Sequence, residues 1–232
     1  MIDLYFWTTP NGMKPLILLE ESGLEYTVRP VNISKGEQFA EAFMRISPNQ
    51  KIPAMIDTAP ASGNAPVATF ESGAILQYVA EKADRFLPKS LQARTDAMQW
   101  LFWQMSGLGP TLGQFVHFSN HANEAIPYAQ GRFSREKERL YTVLDQRLRD
   151  REFIASDYSI ADIATFPWIH RLEQEGDHLN GFASIQRWHD MISRRPAVKR
   201  AYARAAEINT TPTVTEASRT ILFGTGPSMK GK

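Results

Sequence analysis

The strongest constraint on how this 232-residue chain can fold is a change of pattern near residue 86. Before that point, short apolar runs alternate with helical periodicity; after it, strand signals stop and helical periodicity dominates. "IDLYFW" reads as a buried strand, "PLILLEESGL" as a helix closed by Gly23, and "EYTVRPVNI" as a second strand. "GEQFAEAFMRI" reads as a short helix, "IPAMID" and "VATF" as two further strands, and "ESGAILQYVAEKA" as a helix with Ser72 as its N-cap. The order β-α-β-α-β-β-α predicts a parallel unit followed by an antiparallel pair, hence a mixed four-stranded sheet with helices packed on it.

Beyond "RFLPKS" the segments read as helices. "ARTDAMQWLFWQMSGLGPTLGQFVHF" is long and apolar, and its Gly107 to Pro110 interruption is expected to end or kink it. "IPYAQGRFSREKERLYTVLDQRLRD" is amphipathic, and "YSIADIATFPWIHRLEQEG" opens with Ser159 and Asp162 in a variant of the capping box. "ASIQRWHDMISRRPAVKRAYARAAE" reads as two helices broken before Pro196. The expected organisation is α/β plus all-α: an α/β domain over 1–86, an all-helical domain over 93–207, and a loosely structured tail over 208–232.

Composition removes several functional classes. The 26 basic and 25 acidic residues nearly cancel, so there is no electrostatic case for nucleic acid or an anionic membrane surface. No apolar run is long enough to span a bilayer and the N-terminus lacks the pattern of a secretory signal, so a cytoplasmic location is expected. Neither a GxSxG elbow nor a phosphate loop is present. His117, His121, His170, His178 and His189 show no metal-ligand spacing and are expected to be structural or exposed, with no metal bound. The chain contains no cysteine, so any thiol chemistry must use a thiol brought by a ligand.

Three turns in the first domain carry candidate chemistry. In "TTPNG", Thr9 suits an N-cap and Pro10 the first helical position, so free amides and the helix dipole favour negative charge there, with donors from Thr9 and Asn11. Helix capping alone also accounts for those five residues. In "NQKIPAM", an X-Pro bond entering a strand is either cis, leaving the Ile52 backbone to pair with a peptide ligand, or a trans proline starting an edge strand. In "FESGA", capping explains Ser72, whereas Glu71 beside it suits an ammonium group and the Ser72 hydroxyl a carboxylate. Together the three turns fit a short peptide with a thiol and two carboxylates. Tyr5, inside the apolar run, is expected to be core, and Trp100, Phe102 and Trp103 to serve the core or a dimer interface, with lining of a second-substrate pocket as the alternative.

The order of elements, "NQKIPAM", "FESGAILQYVAEK" and "YSIADIATFPWI" resemble the cytosolic glutathione S-transferase family, over roughly the first two hundred residues. "TPNG" with "RISPNQKIPA", "QWLFWQMSGLGP" and "IPYAQGRF" is similar to its bacterial Nu-class group, glutathione-dependent disulfide-bond reductases. The resemblance implies a thioredoxin-like N-terminal domain and an all-α C-terminal domain, glutathione as co-substrate, and a homodimer. It implies Ile52 and a cis Pro53 at the cysteinyl backbone, Glu71 and Ser72 at the γ-glutamyl amino and carboxylate groups, and Gln38 with Lys51 near the glycine end. Thr9 and Asn11 would face the sulfur, and Arg132 would reach the ligand of a neighbouring subunit. Trp7, Thr8 and Met13 depart from the pattern and bear on the pocket for the second substrate. The expected activity is disulfide reduction by bound glutathione thiolate. Conjugation or cleavage of an aromatic electrophile, weak peroxidase activity, and a non-catalytic binding module are the alternatives.

Overall fold

The computed structural model describes residues 1–61, 63 and 65–224. Its backbone contacts divide the chain into two units: Met1–Lys82 with the chain from Lys199 onward, and Ala83–Val198.

The first unit is built on a four-stranded sheet of β1 (Ile2–Phe6), β2 (Tyr26–Pro30), β3 (Ala54–Asp57) and β4 (Val67–Phe70), in the spatial order β2-β1-β3-β4. β1 runs parallel to β2, with Ile2 opposite Tyr26, and antiparallel to β3, with Tyr5 opposite Ala54; β3 and β4 are antiparallel, with Ala54 opposite Phe70. Ile2, Leu4 and Phe6 are fully buried at alternate positions of β1, as a period of two requires. The parallel pair is joined by α1 (Pro10–Ser22), whose Leu16 to Leu19 are buried and whose C-cap, Gly23, takes the left-handed φ of 72°. Between β2 and β3 the expected short helix is two single 3-10 turns, Ile33–Lys35 and Glu37–Phe39, and a four-residue α2 (Glu41–Met44). Gly36, with φ of 79°, separates the two turns, which prevents one continuous helix.

α3 (Ser72–Ala83) follows β4 directly. The buried carboxylate of Asp57, at the end of β3, ties this helix to the sheet by accepting from Tyr78 Oη at 2.8 Å and Lys82 Nζ at 2.6 Å. Tyr5 packs against Val31, Phe43 and Ala54, a core position as expected.

The second unit contains α4 (Leu91–Trp103), α5 (Gly109–Val116), α6 (Pro127–Leu148), α7 (Ile160–Gln174) and α8 (Ala183–Ser193). The Gly107 to Pro110 stretch neither ends nor breaks the helix: Gln104–Leu108 is a π turn that leads straight into α5. Pro110 follows the π turn inside this run, and a Cβ on Gly109 would lie 3.3 Å from the Trp168 indole nitrogen of α7. In α6, Leu140, Leu144 and Leu148 form the buried stripe. The capping box at Ser159 and Asp162 is present, and Asp162 is fully buried; α7 is buried along nearly its whole length.

Three domain expectations differ from the structure. The boundary expected at 86 falls at Lys82, because the connecting stretch belongs to the helical unit: Leu87 is buried and Phe86 O accepts from Ile160 N at 2.9 Å. The helix after Pro196, α9 (Pro196–Ile208), mostly joins the sheet unit, where Arg200 Nε pairs with Glu20 at 2.7 Å. Within the tail expected to be loose, α10 (Glu216–Phe223) forms with a cap at Thr215 and packs against Ile33–Lys35; positions 225–232 of that expectation lie outside the described residues. The capping Thr and Ser at 215 and 218 are the local signal that the lack of a sustained apolar period concealed.

Candidate functional site

Sheet register brings the three turns together. β1 ends at Phe6, β3 starts at Ala54 opposite Tyr5, and β4 ends at Phe70 opposite Ala54, so Trp7 to Thr9, Ile52 with Pro53, and Glu71 with Ser72 all leave the same end of the sheet. β2, parallel to β1, ends at that side too and leads to the turn carrying Gln38.

At the first turn, Thr9 is the N-cap of α1: its Oγ1 accepts from Gly12 N at 3.1 Å, and Pro10 is the first helical residue. A hydroxyl that accepts from a backbone amide keeps its own O–H as a donor, so the cap and a second interaction coexist at Thr9. Neighbouring side chains are spoken for. Thr8 Oγ1 donates to Ala205 O at 3.3 Å, and Trp7 Nε1 donates to Thr213 Oγ1 at 3.1 Å, both in the same unit. Trp7 and Thr8 therefore anchor the chain's last helices.

Gly12 has its own constraint, since an added Cβ would come 2.2 Å from the Trp7 carbonyl oxygen. Gly12→Ala is expected to destabilise the unit by about 2 kcal/mol or more, because the turn must open to relieve a backbone clash. Urea denaturation measures this; an unchanged midpoint would mean that the turn yields without cost.

At the second turn, the Ile52–Pro53 bond is cis, as the family resemblance implies. Ile52 lies just before the paired part of β3 and packs partly against Val31, Phe43 and Ala54. Lys51 is exposed at its side chain, while its carbonyl accepts from Ser47 Oγ at 2.8 Å. Gln38 is 6% exposed, and its Oε1 is buried with no hydrogen-bond partner.

The third turn carries a strained residue. Glu71 takes φ of 68°, a left-handed conformation that costs a non-glycine residue about 1–2 kcal/mol. Its carbonyl accepts from Ile75 N at 3.0 Å, so Glu71, not Ser72, occupies the cap position, and the helix begins at Ser72, one place earlier than the sequence pattern predicts. Asn49 Nδ2 donates to Glu71 Oε1 at 3.5 Å. Ser72 is buried, and its Oγ accepts from Lys14 Nζ at 3.4 Å.

Lys14 was not legible as a site residue. It is 1% exposed, on the buried face of α1, and only the packing of α1 beside the start of α3 gives it a role. Burial pulls its pKa down to about 7, against the pull of the Glu71 carboxylate, which favours the charged form. Since the folded value lies below the ordinary lysine value, this group lowers stability at and below pH 7, and that loss fades as pH rises from 7 towards 10.5.

Arg132 is not among these residues in the first unit. It is exposed on α6, where it lines a cavity of about 520 Å³ with Thr111, Phe133, Arg135, Glu136 and Arg139. Elsewhere in that unit Trp100 and Trp103 meet edge to face with centroids 5.1 Å apart, and Phe102 is 61% exposed. His170 and His189 face each other with ring nitrogens 3.0 Å apart, and burial lowers the pKa of both. Among the described residues no group of three or more His, Cys, Asp or Glu side chains is placed to hold a metal ion.

The fold finds direct counterparts. Residues 2–81 match the family model of the glutathione S-transferase N-terminal domain, and residues 120–196 that of the C-terminal domain. The chain belongs to the glutathione S-transferase family. Among its relatives in that family, the disulfide-bond oxidoreductase YfcG of Escherichia coli is 47% identical over 206 residues, covering 88% of this chain and 96% of the relative. The disulfide-bond oxidoreductase YghU of the same organism is 42% identical, covering 86% of this chain and 73% of the relative. Among solved glutathione transferases, one from Burkholderia graminis with two glutathione molecules bound per subunit has a TM-score of 0.83 at 41% identity, covering 86% of each chain. Another, from Pseudomonas putida with one glutathione disulfide bound per subunit, has a TM-score of 0.83 at 39% identity, covering 86% of this chain and 90% of that one. The N-terminal domain is thus the thioredoxin-like domain of a glutathione S-transferase, and the helical unit is its partner domain.

Proposed function

We propose that the chain is a glutathione-dependent disulfide-bond oxidoreductase of the Nu-class group, working as a cytoplasmic homodimer. One observation carries the reading: a strand-to-helix turn in which Thr9 caps α1 stands in a chain of 232 residues with no cysteine, so a reactive thiolate has to arrive with the ligand. The relatives named as disulfide-bond oxidoreductases and the neighbours holding two glutathiones or one glutathione disulfide support it.

In this reading Thr9 donates its O–H to the glutathione sulfur while capping α1, and Asn11 adds a side-chain donor. The start of α1 contributes the positive end of its dipole, and together these groups hold the thiol as thiolate. Ile52, outside the β3 ladder and next to Pro53, pairs with the cysteinyl backbone. Glu71 takes the γ-glutamyl ammonium and Ser72 the carboxylate. Gln38, whose buried Oε1 has no partner, and Lys51 take the glycine end. Arg132, exposed on α6 beside Arg135 and Arg139, serves the ligand of the neighbouring subunit.

The reaction balances with two glutathiones. The first thiolate attacks one sulfur of the substrate disulfide, forming a mixed disulfide and expelling one substrate thiolate, which takes up a proton. A second glutathione thiolate attacks the glutathione sulfur of that mixed disulfide, releasing the second substrate thiolate and forming glutathione disulfide. Two electrons pass from the two glutathiones to the substrate, and the protein supplies position and charge only.

The test is glutathione-dependent reduction of a small dialkyl disulfide, followed through NADPH consumption with glutathione reductase, beside a standard aromatic electrophile assay. Fast disulfide reduction with feeble conjugation is the expected result. Glutathione binding with neither reaction would overturn the reductase assignment, and absence of binding would leave a non-catalytic module.

A further inference from the structure

The stretch of chain after α9 is bonded directly to the turn that carries Thr9. Trp7, 5% exposed, donates its indole N–H to Thr213 Oγ1 at 3.1 Å, and Thr8 Oγ1 donates to Ala205 O, in the last turn of α9, at 3.3 Å. Thr213 is itself held in place. Its Oγ1 accepts from Asn209 Nδ2 at 2.9 Å, and its carbonyl accepts from Ser218 Oγ at 2.9 Å. Ser218 is buried in the cap of α10, and α10 rests on Ile33–Lys35, with Ile221 Cγ2 3.7 Å from where a Cβ on Gly36 would stand. Residues 205–221 thus form a strap fixed to the sheet unit at both ends. The strap lies beyond residue 196, where the match to the C-terminal family model ends.

Movement of Trp7 cannot stay local. Its carbonyl oxygen accepts from Thr9 N at 2.8 Å, and an added Cβ on Gly12 would come 2.2 Å from that same oxygen, so it is wedged against the first turn of α1. A shift of the indole is therefore passed to the backbone of Thr9 and to its hydroxyl, which caps Gly12 N at 3.1 Å. The indole in turn keeps to its acceptor, because a buried donor without one is costly.

We infer that Thr213 is a positioning residue for disulfide reduction: through the Trp7 indole it braces the Trp7–Thr9 turn and so fixes where the Thr9 hydroxyl meets the glutathione sulfur. The inference rests on the glutathione reading above and adds to it a brace from more than two hundred positions away in sequence. Its loss falls on the chemical step rather than on binding, because in that reading the other two turns hold the tripeptide. Misplacing a reacting group by about 1 Å lowers a rate by up to about 100-fold.

The experiment compares Thr213→Val, Thr213→Ser, Trp7→Phe and the variant carrying both Thr213→Val and Trp7→Phe. Tyr78→Phe is the control, since it loses a hydrogen bond to Asp57 at the opposite end of β3 and leaves the brace intact. Thr213→Val should lower kcat for disulfide reduction about tenfold, keep KM for glutathione within about threefold, and move the rise of kcat/KM to higher pH. Thr213→Ser, which keeps the acceptor, should restore most of the rate. The double variant should lose no more than the worse single one, because both changes remove the same bond. Amide hydrogen exchange at Thr9 and Gly12 should be about tenfold faster in Thr213→Val than in wild type. Tyr78→Phe should lower the urea midpoint yet keep the wild-type kcat, pH profile and exchange at those two amides. If Thr213→Val does not fold, Trp7→Phe carries the same comparison from the other side of the bond. A wild-type kcat and pH profile in Thr213→Val, or an equal loss of rate in Tyr78→Phe, would overturn the brace. A wild type that binds no glutathione would instead overturn the glutathione reading, and the exchange comparison would then decide on the brace alone.

Discussion

Replacing Asp162 by alanine is expected to lower the unfolding free energy by about 4 kcal/mol at pH 7, because it strips the acceptor from several buried donors at once. The Asp162 carboxylate accepts from Ile154 N at 2.9 Å, Ser159 N at 3.0 Å, Ser159 Oγ at 3.2 Å and Trp188 Nε1 at 2.9 Å. Ile154, Ser159 and Trp188 are themselves at most 1% exposed, so water cannot replace the lost acceptor without a cavity forming. Each orphaned buried donor costs about 1–3 kcal/mol. Burial raises the Asp162 pKa to about 6, opposed by those same donors. The folded value lies above the unfolded one, so wild type should lose stability as pH rises from about 4 to 6 and be level above that, and the alanine variant should lack this slope. Asp162→Asn keeps one acceptor oxygen and should recover part of the loss. Thermal unfolding should fall by roughly 10 °C in the alanine variant; a fall of a degree or two would mean that the helix start reorganises around the missing side chain.

If Thr9 acts on the glutathione sulfur as proposed, Thr9→Val is expected to reduce disulfide-reduction turnover by about 100-fold, with glutathione affinity changed by no more than about threefold, because the loss then falls on the thiolate. Valine matches the shape of threonine and removes the hydroxyl, so the Gly12 amide loses its cap at 3.1 Å as well. That loss of the cap should cost about 1 kcal/mol of stability, which is separable from the catalytic effect by urea denaturation. Thr9→Ser keeps both functions of the hydroxyl and should restore most of the rate. The pH dependence of kcat/KM gives the deciding readout: in Thr9→Val the rise that reports thiol ionisation should move to higher pH. A Thr9→Val rate within twofold of wild type, with an unmoved profile, would reduce Thr9 to a helix cap.

Much of this was legible in the chain itself. Local chemistry is enough to place the Thr9 cap, Pro10 at the first position of α1, the Gly23 C-cap, the box at Ser159 and Asp162 and the break before Pro196, because each depends on residues within a few positions of one another. Glu71 stood out because capping does not call for a carboxylate there. Where local signals misled, a longer-range interaction was deciding. The Gly107 to Pro110 stretch read as an interruption that would end or kink the helix, yet the helical run does not end there, and Gly109, like Gly113 after it, faces Trp168 of α7 in close packing. The last stretch lacked a sustained period, yet Thr213 accepts from Trp7, more than two hundred positions away in sequence.

Residue order was enough for the succession of the four strands, the family, and one chemical fact that no conformation can alter: with no cysteine in the chain, any reacting thiol belongs to the ligand. Tertiary structure alone decided which residues share the site. Parallel pairing of β1 with β2 and antiparallel pairing through β3 and β4 carry three turns, separated by some forty and twenty residues, to one end of the sheet. The same packing buries Lys14 beneath Ser72, fifty-eight positions away. Periodicity can assign a lysine to a helix face, but whether its charge meets solvent or a buried hydroxyl depends on what lies against that face, and in this fold that is the start of α3.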